Sequence, residues 1–299
     1  MRHILVLLNA RAGAMLDRDA GQVRALVARE LGGNGHEVEV RLLGGQDLVE
    51  AIRRSGSGPH DTVVIGGGDG SVNLAVRSLD GSGKMLGILP LGTLNLLAHD
   101  IGMPMGLEAA LAALGEARPQ SIDLARLNGR LFHTVSGLGF FSQMARARET
   151  ARRWKLWRFF AVAIAAFLAL RRSGRMHLDV TIDGKRHSFH AFAALVSVNR
   201  FTGPGWRRGR LDEGLLEVHI AEDRGALAML KAGADMMTDN WRGNPGIVGL
   251  SGLTISITRL NRARSWVSTD GELDREFMPL DYRIEPKALT VLVPPRPPE

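Results

Sequence analysis

Residues 63–71 of this chain read Val-Val-Ile-Gly-Gly-Gly-Asp-Gly-Ser, a short apolar run that enters a cluster of glycines. A second run of the same kind follows at 89–95, Leu-Pro-Leu-Gly-Thr-Leu-Asn. A β-branched apolar triplet is typical of a buried parallel strand. Glycines at its end leave backbone N–H groups that a phosphate can approach, because no Cβ blocks them. Two such turns in tandem predict a phosphate-binding edge of a parallel sheet.

The spacing of these glycines differs from the common nucleotide-binding fingerprints. No Gly-x-Gly-x-x-Gly opens a helix with an acidic residue about twenty positions later, and no Gly-x-x-x-x-Gly-Lys-[Ser/Thr] occurs. Neither a dinucleotide Rossmann site nor a P-loop is therefore supported.

The part of the chain around these turns alternates predicted strands and helices. Strands are predicted at 4–8, 37–43, 62–65 and 86–89, and helices at 21–31, 46–54, 72–78, 94–99 and 107–114. This rhythm predicts a parallel-sheet α/β domain over 1–120 with its ligand at the carboxyl ends of the strands. The segment 115–119 is the predicted boundary, and the C-terminal strand is allowed to return to this first domain.

After residue 121 the pattern changes to strands joined by tight turns. Asn128-Gly129 and Asp183-Gly184 lie between alternating apolar runs, which is a strong hairpin signal. Strands are predicted at 122–127, 130–136, 177–182, 185–189, 193–199, 215–221, 252–257, 265–269, 281–285 and 289–293. The sequence thus predicts a second, antiparallel β-sandwich domain over 121–299, so the fold class is α/β plus β.

Composition limits the partners. The 299 residues carry a formal net charge of +7, only 5% are aromatic, and there is no cysteine. The positive charge favours binding to polyanions. The sequence indicates no basic surface interleaved with aromatic residues that could stack on bases, so no nucleic acid is expected. An anionic membrane surface is the better partner. The lack of cysteine excludes disulfides and is consistent with a cytoplasmic protein.

Four short motifs resemble those of one superfamily. Residues 67–71 resemble the Gly-Gly-Asp-Gly-Thr motif of the diacylglycerol kinase and sphingosine kinase superfamily, and 90–95 resemble its Pro-Leu-Gly-Thr-x-Asn motif. Residues 9–13 are similar to its Asn-x-x-x-Gly turn, and 269–272 contain its Asp-Gly-Glu motif. The motifs occur in the family's order over nearly the whole chain. The superfamily shares its fold with NAD kinases and phosphofructokinases.

The resemblance implies ATP as phosphoryl donor and Mg²⁺ as cofactor. An aspartate in a phosphate-binding turn needs a cation between the two negative groups, and magnesium bound to phosphates and one or two carboxylates is the obvious one. Asp69 is thus the implied metal contact. The implied nucleotide contacts are Asn9, Gly13, Gly67, Gly68, Asp69, Gly70, Ser71, Val72, Asn73, Gly92, Thr93 and Asn95. Thr93 is also predicted to cap the helix that follows it.

The Asp-Gly-Glu motif implies the catalytic residues. A lipid hydroxyl needs a carboxylate to accept its proton as it attacks the γ-phosphate. By resemblance Glu272 is this base, and Asp270 orients it or binds metal.

Two positions depart from the family pattern. Leu96 stands where many members have an acid after the second glycine turn. The loop 210–215 resembles one that holds a structural magnesium in bacterial members, through the carbonyls of Arg210 and Leu215 and an aspartate, but Glu213 occupies the aspartate position. An acidic hairpin turn is the alternative reading of this loop.

A basic apolar segment near 152–172 is the remaining signal. Arginines, one lysine and two tryptophans flank an uncharged run of twelve residues, 159–170. This run is too short to cross a bilayer. It predicts a helix that lies in the headgroup region, with a buried helix as the alternative.

Together these features predict a lipid kinase that acts on a lipid acceptor at the inner face of the membrane, as a cytoplasmic, peripherally bound enzyme. Diacylglycerol is the first choice of acceptor, and a ceramide or sphingoid base is the alternative. NAD kinase and a catalytically inactive lipid- or nucleotide-binding regulator are weaker alternatives. The oligomeric state is left open, with a homodimer as one option.

Overall fold

The computed structural model describes residues 3–15, 18–33, 35–145, 175–202, 207–223, 231, 235 and 240–295. By its internal contacts the chain divides into two units. One comprises residues 1–124 together with 286–299, and the other comprises 125–285. The last part of the chain therefore belongs to the first unit.

The first unit is an α/β unit with a parallel sheet. Its elements are β1 (His3–Asn9), α1 (Ala20–Gly32), β2 (Glu37–Leu43), α2 (Gly45–Ser55), β3 (Thr62–Gly67), α3 (Asp69–Ser78), β4 (Met85–Pro90), α4 (Leu96–Asp100) and α5 (Leu107–Gly115), with a 3-10 turn at Gly13–Met15. Parallel pairing places the strands in the order β4-β3-β1-β2. The last part of β15 (Leu280–Val293) pairs in parallel with β4.

Buried aliphatic residues explain this sheet. β3 is buried along its whole length, as its apolar run predicts for a strand covered on both faces. α1 buries Val23, Val27 and Leu31, whose spacing of four puts them on one side of the helix. Residues 1–124 and 286–299 contain no Phe, Tyr or Trp. All five tryptophans belong to the second unit, so tryptophan fluorescence reports on that unit alone.

The second unit is built from antiparallel strands. They are β5 (Arg118–Leu127, which begins in the first unit), β6 (Arg130–Phe132), β7 (Val135–Gly139), β8 (Met176–Ile182), β9 (Lys185–Val198), β10 (Leu216–Glu222), β11 (Ile247–Gly252), β12 (Thr254–Arg259), β13 (Arg264–Thr269), β14 (Glu272–Phe277) and the first part of β15. The order is β14-β13-β7-β9-β8-β12-β15, with β10 beside β9 and β11 beside β10. The predicted fold class is confirmed.

Both predicted Asx-Gly hairpins are confirmed. β5 pairs with β6 directly across Asn128-Gly129, and β8 pairs with β9 directly across Asp183-Gly184. All four turn residues have positive φ, from 46° to 85°. This is the backbone of a two-residue type I′ turn, for which Asn-Gly and Asp-Gly are the preferred sequences.

Several predicted strand bounds are wrong. The predicted strand 130–136 is two strands, β6 and β7, because the residues between them bond to a distant carboxylate. The predicted strands 185–189 and 193–199 form the single strand β9, since no turn residue separates them. The predicted strands 281–285 and 289–293 likewise form β15. Here the chain continues past Pro286, because Asp123 accepts the N–H of Lys287 at 2.8 Å in place of a strand neighbour.

Two strands, β11 and β14, are not predicted from the sequence. β14 has the sequence Glu-Leu-Asp-Arg-Glu-Phe and pairs with β13 alone in the described sheet. Its alternating charges predict a solvated turn as well as they predict a strand at a sheet edge.

The basic apolar segment at 152–172 lies outside the described residues. Within the described ranges, no helix is long and apolar enough to cross a membrane.

Candidate functional site

The two glycine turns lie side by side at the carboxyl edge of the parallel sheet. β3 and β4 end in register, with Gly66 opposite Leu89 and Gly67 opposite Pro90. The N–H of Leu91 donates to the carbonyl of Gly67 at 3.0 Å, so the pairing continues one residue beyond β4. The structure thus brings residues 67–71 and 91–95 together.

Close backbone contact explains the glycines. A Cβ on Gly92 would clash with the Cα of Gly68, and a Cβ on Gly67 would lie 2.8 Å from the Oγ of Ser71. A side chain at Gly92 would force the two turns apart, and one at Gly67 would displace Ser71 within the first turn. A Cβ on Gly70, in contrast, would meet no heavy atom within 4 Å. The side of Gly70 is therefore open to a ligand, while Gly67, Gly68 and Gly92 are needed for packing.

Asn95 closes the second turn. Its side-chain oxygen accepts the N–H of Gly92 at 3.0 Å, and its side-chain nitrogen donates to the carbonyl of Gly92, also at 3.0 Å. Asn95 has φ 49°, a left-handed conformation that asparagine tolerates better than most residues. It is 6% exposed. Its described contacts make it a residue that shapes the turn.

Asp69 joins the two turns. One carboxylate oxygen accepts the N–H of Asn95 at 3.0 Å, and the other accepts the N–H of Leu96 at 2.7 Å. These are first-turn donors of α4, and a carboxylate at a helix N-terminus is favourable because it satisfies N–H groups and opposes the helix dipole. Asp69 is therefore more than a solvent-facing turn residue. It ties α3, which it begins, to α4.

The predicted cap at Thr93 is wrong. Thr93 is exposed, and the N-cap position of α4 is Asn95, whose own side chain makes no cap hydrogen bond. Asp69 supplies the cap from the neighbouring turn instead. Leu96 lacks the acid of many family members, but its main-chain N–H is one of the two groups that Asp69 binds.

The first turn, after β1, adjoins this site. Asn9 ends β1, and its side-chain oxygen accepts the N–H of Arg11 at 2.9 Å in an Asx turn. Its Cβ lies 3.8 Å from the position that a Cβ on Gly67 would take. Gly13 begins the 3-10 turn that follows. The turns after β1, β3 and β4 therefore lie along one sheet edge.

Two of the implied nucleotide contacts face inward. Val72 is 4% exposed and Asn73 is 1% exposed, so both lie against the interior of the first unit. Their contribution to a ligand site is to hold α3 in place, while Gly70 and Ser71 occupy the accessible end of the helix.

These residues fit a bound phosphate. The accessible end of α3 is the positive end of a ten-residue helix, and the open side of Gly70 leaves room beside it. Each oxygen of Asp69 accepts one described N–H and keeps a second lone-pair direction for a cation. The first unit offers no Phe, Tyr or Trp ring for a base to stack on, since its sequence contains none.

In the second unit, Asp270 is a buried anchor. It is 4% exposed, and its carboxylate accepts the backbone N–H groups of His133, Thr134 and Val135 at 2.9, 2.9 and 3.1 Å. Its own N–H donates to the carbonyl of Val135 at 2.8 Å. Three amide donors occupy most of the carboxylate's capacity. Of the two roles implied for Asp270, this arrangement favours orienting the turn over binding metal.

Glu272 lies two residues beyond this anchor, at the start of β14. Its side chain is 39% exposed. The guanidinium of Arg130 lies 4.0 Å from Glu272 and 2.5 Å from Asp274, so its closer partner is Asp274. Glu272 is thus an accessible carboxylate beside a turn that Asp270 holds, and a proton acceptor needs such access.

The residues that receive Asp270 are not among those predicted from the sequence. His133 and Thr134 are buried, and Arg208, 3% exposed, donates to the carbonyls of His133 and Val198 at 2.6 and 3.0 Å. The segment 133–135 is therefore held at its amides by a carboxylate and at a carbonyl by a guanidinium. The polar pair His-Thr inside a predicted strand was the available signal.

The loop implied to hold a structural magnesium is tied to residues 199 and 200. Glu213 accepts the N–H of Arg200 at 3.0 Å, and the carbonyl of Leu215 accepts the N–H of Asn199 at 2.9 Å. Arg210 is exposed and donates to Asp212 at 3.2 Å. Two of the three implied ligand positions thus have backbone partners already.

One observation at this loop fits a hydrated ion. Asn199 is completely buried, and neither polar atom of its side chain has a hydrogen-bond partner among the described residues. A buried amide of this kind is usually satisfied by water or an ion. No cluster of three or more His, Asp or Glu side chains suited to a metal occurs in the described ranges. The magnesium site at 210–215 stays a prediction.

The two units together define a class of protein. A parallel α/β unit with three turns along one sheet edge is joined in sequence to an antiparallel β unit, and this architecture is that of the NAD kinase-like fold. Comparison with known proteins gives the family. The model of the diacylglycerol kinase catalytic domain matches residues 3–127, and that of the YegS C-terminal NAD kinase beta sandwich-like domain matches residues 138–293. This chain belongs to the bacterial diacylglycerol kinase-like family of lipid kinases.

Individual relatives agree with this assignment. A protein named "Probable lipid kinase YegS-like" from Pseudomonas aeruginosa is 39% identical over 236 residues, which cover 73% of this chain and 71% of the relative. An uncharacterized Synechocystis protein is 23% identical over 261 residues. This match covers 83% of this chain and 59% of the Synechocystis protein. A crystal structure described as a diacylglycerol kinase from Bacillus anthracis matches with a TM-score of 0.73 at 17% identity, over 98% of this chain and 97% of that one. The last likeness concerns the fold alone.

Proposed function

We propose that this protein is an ATP-dependent lipid kinase that transfers the γ-phosphate of ATP to the hydroxyl of an amphipathic lipid. The observation that carries the proposal is the pair of glycine turns, locked together by Asp69 and Asn95 and open at Gly70. Membership of the lipid kinase family supports it.

The phosphate side of the reaction belongs to the first unit. The phosphates lie at the end of α3 beside Gly70 and Ser71, where backbone N–H groups and the helix dipole favour negative charge. Asn9, Gly13 and Thr93 belong to the turns that border this place. Magnesium, when bound with the nucleotide, offsets the charge of the phosphates, and Asp69 is the residue that would hold it.

The acceptor side belongs to the second unit. Glu272 accepts the proton of the lipid hydroxyl as the hydroxyl oxygen forms a bond to the γ-phosphorus. The bond between that phosphorus and the β,γ-bridging oxygen breaks, and ADP leaves. Asp270 orients Glu272 because its three amide hydrogen bonds fix the turn that precedes β14.

The acceptor is proposed by class. Diacylglycerol is the first choice, and a ceramide or sphingoid base is the alternative. NAD is kept as a third acceptor, since the second matching model is described as NAD kinase beta sandwich-like. A regulator without catalysis is the remaining alternative. The proposed location is the cytoplasmic face of a membrane that supplies the lipid.

One experiment separates these functions. The protein is incubated with γ-labelled ATP, magnesium and each of diacylglycerol, ceramide, a sphingoid base and NAD, with Glu272→Gln as the matched control. We expect label in one lipid class and its loss in the control. Label in NAD would replace the lipid acceptor, and ATP binding without transfer to any acceptor would assign the protein to the regulators.

A further inference from the structure

The hairpin β13–β14 carries two arginines and two large aromatic residues on its outward side. Arg264 lies opposite Phe277, and Trp266 lies opposite Arg275. Residues opposite each other in an antiparallel pair share a face, so these four side chains form one surface, named here the arginine-aromatic face. Phe277 is 58% exposed, Trp266 is 36% exposed, and both arginines are exposed.

The apolar exposure continues into the adjoining turn. Leu260, between β12 and β13, is 55% exposed. This turn is fixed to the end of β14, because the N–H of Met278 donates to the carbonyl of Ala263 at 3.0 Å. The guanidinium of Arg264 lies 3.8 Å from the ring centroid of Phe277, a cation–π contact that holds a charge directly on an exposed ring. Exposed apolar residues scattered singly need no explanation, but here three large apolar side chains are exposed in one region.

The charges of this hairpin are sorted by side. The carboxylates of β14 are Glu272, Asp274 and Glu276, which alternate with the outward residues and therefore point to the other side. Over the described stretch 259–277, the outward side carries arginines and no carboxylate. Arg262 in the adjoining turn is also exposed.

We infer that the arginine-aromatic face docks the protein on a membrane surface that contains anionic lipid. Arginines bind lipid phosphates, and aromatic side chains favour the headgroup layer, where one side is apolar and the other is wet. Leu260 can enter the acyl region, which an aliphatic side chain favours. The inference deepens the proposed function and rests on its membrane location, for which it names the surface. Docking itself requires neither ATP nor phosphoryl transfer, so vesicle binding and lipid phosphorylation can fail independently.

Two other occupants fit the face less well. A second copy of the chain in a symmetric contact would bring the same arginines of both copies together, and no carboxylate of the hairpin's outward side would offset them. A nucleic acid would use the rings and arginines but would leave Leu260 without a stacking partner. The mixture of aliphatic, aromatic and positive groups favours lipid.

Vesicle sedimentation of the full chain, without ATP, tests the inference. The vesicles are phosphatidylcholine with and without phosphatidylglycerol. We expect Arg264→Gln with Arg275→Gln to weaken binding to anionic vesicles about 20-fold at low salt, and the difference to shrink as salt rises. Trp266→Ser with Phe277→Ser should weaken binding at least about tenfold at every salt concentration, since this part is apolar burial. Circular dichroism and thermal midpoints verify that each variant folds.

The matched control is Leu253→Ser with Arg283→Gln. Leu253 is 56% exposed and precedes β12, at the end opposite to Leu260, and Arg283 is an exposed arginine paired with Thr254. This pair removes the same kinds of group from the same unit, and we expect unchanged vesicle binding. Unchanged binding in both hairpin variants, or an equal loss in the control, would overturn the inference.

A second measurement does not depend on multiple substitution. Lipids with brominated acyl chains quench tryptophans that reach the bilayer, so the quenched fraction should fall in Trp266→Phe compared with the wild type. Equal quenching in both proteins would exclude contact through Trp266. Two further results would overturn lipid as the occupant. If the wild type is a dimer that Arg264→Gln with Arg275→Gln converts to a monomer, the occupant is a second copy of the chain. If a single-stranded oligonucleotide displaces the vesicles through the same arginines, the occupant is a nucleic acid.

Discussion

Replacing Asp69 by asparagine should loosen the contact between the two glycine turns. The carboxylate now accepts N–H groups from Asn95 at 3.0 Å and Leu96 at 2.7 Å. In the variant, one oxygen becomes an NH₂ group that cannot accept, so at least one of these amides loses its partner, and the charge opposite the start of α4 is lost. The perturbation is local, because Asp69 begins α3 at the accessible sheet edge and lies outside the aliphatic core.

The magnitude follows from these contacts. A hydrogen bond to a charged group contributes about 1.5–3 kcal/mol to stability. Loss of one, with a weak remaining bond, should cost about 2 kcal/mol. This loss should raise the equilibrium constant for local opening of α4 about 30-fold. It should lower the midpoint of thermal unfolding of a unit of this size by about 5 °C.

Hydrogen exchange measured by mass spectrometry on the peptide that contains α4 is the direct assay. Circular dichroism follows unfolding of the first unit, since tryptophan fluorescence does not report on it. Glu50→Gln is the control, because Glu50 lies on α2 of the same unit and is exposed beside Arg54, so its loss should change stability little. Unchanged exchange of the α4 amides in Asp69→Asn would refute the structural role. If phosphoryl transfer is lost as well in that case, Asp69 acts on the nucleotide or its metal alone.

Three further predictions concern other parts of the chain. Gly92→Ala should destabilise the first unit by about 2 kcal/mol, because its Cβ meets the backbone of Gly68. Gly70→Ala should instead leave the midpoint of unfolding unchanged and raise the Kd for ATP about tenfold. Equal effects of both variants on stability would contradict the open side of Gly70. Glu272→Gln should keep ATP affinity and reduce lipid phosphorylation at least about 100-fold, and a parallel loss of nucleotide binding would remove the base role. Hydrogen bonds from Thr254 and Leu253 lower the pKa of Asp183 from its ordinary value, so its contribution is present above that ordinary value and is lost as the pH falls through the lowered pKa. Asp183→Asn keeps a residue that suits the left-handed turn. Allowing for solvent screening, it should be about 1 kcal/mol less stable than wild type at pH 7, and tryptophan fluorescence should show the gap closing in strong acid; a gap independent of pH would refute the assignment.

Local patterns in the sequence determined the elements and their class. Alternating strands and helices predicted the parallel sheet, and each Asx-Gly pair predicted a hairpin that the structure contains. These signals succeed because periodicity and turn chemistry act over a few neighbouring residues. The glycine runs were recognised for the same reason, since the need for bare backbone is visible in the residues themselves.

Contacts between distant residues were decided by the tertiary structure. Asp69 bonds to amides 26 and 27 positions away, and Asp270 bonds to amides 135 to 137 positions away. The partners in each case are main-chain N–H groups, which every non-proline residue has, so no side-chain pattern identifies them. For this reason the sequence located both aspartates but did not predict their structural roles. Asp69 ties the two turns together, and Asp270 is the buried anchor that splits a predicted strand and orients Glu272.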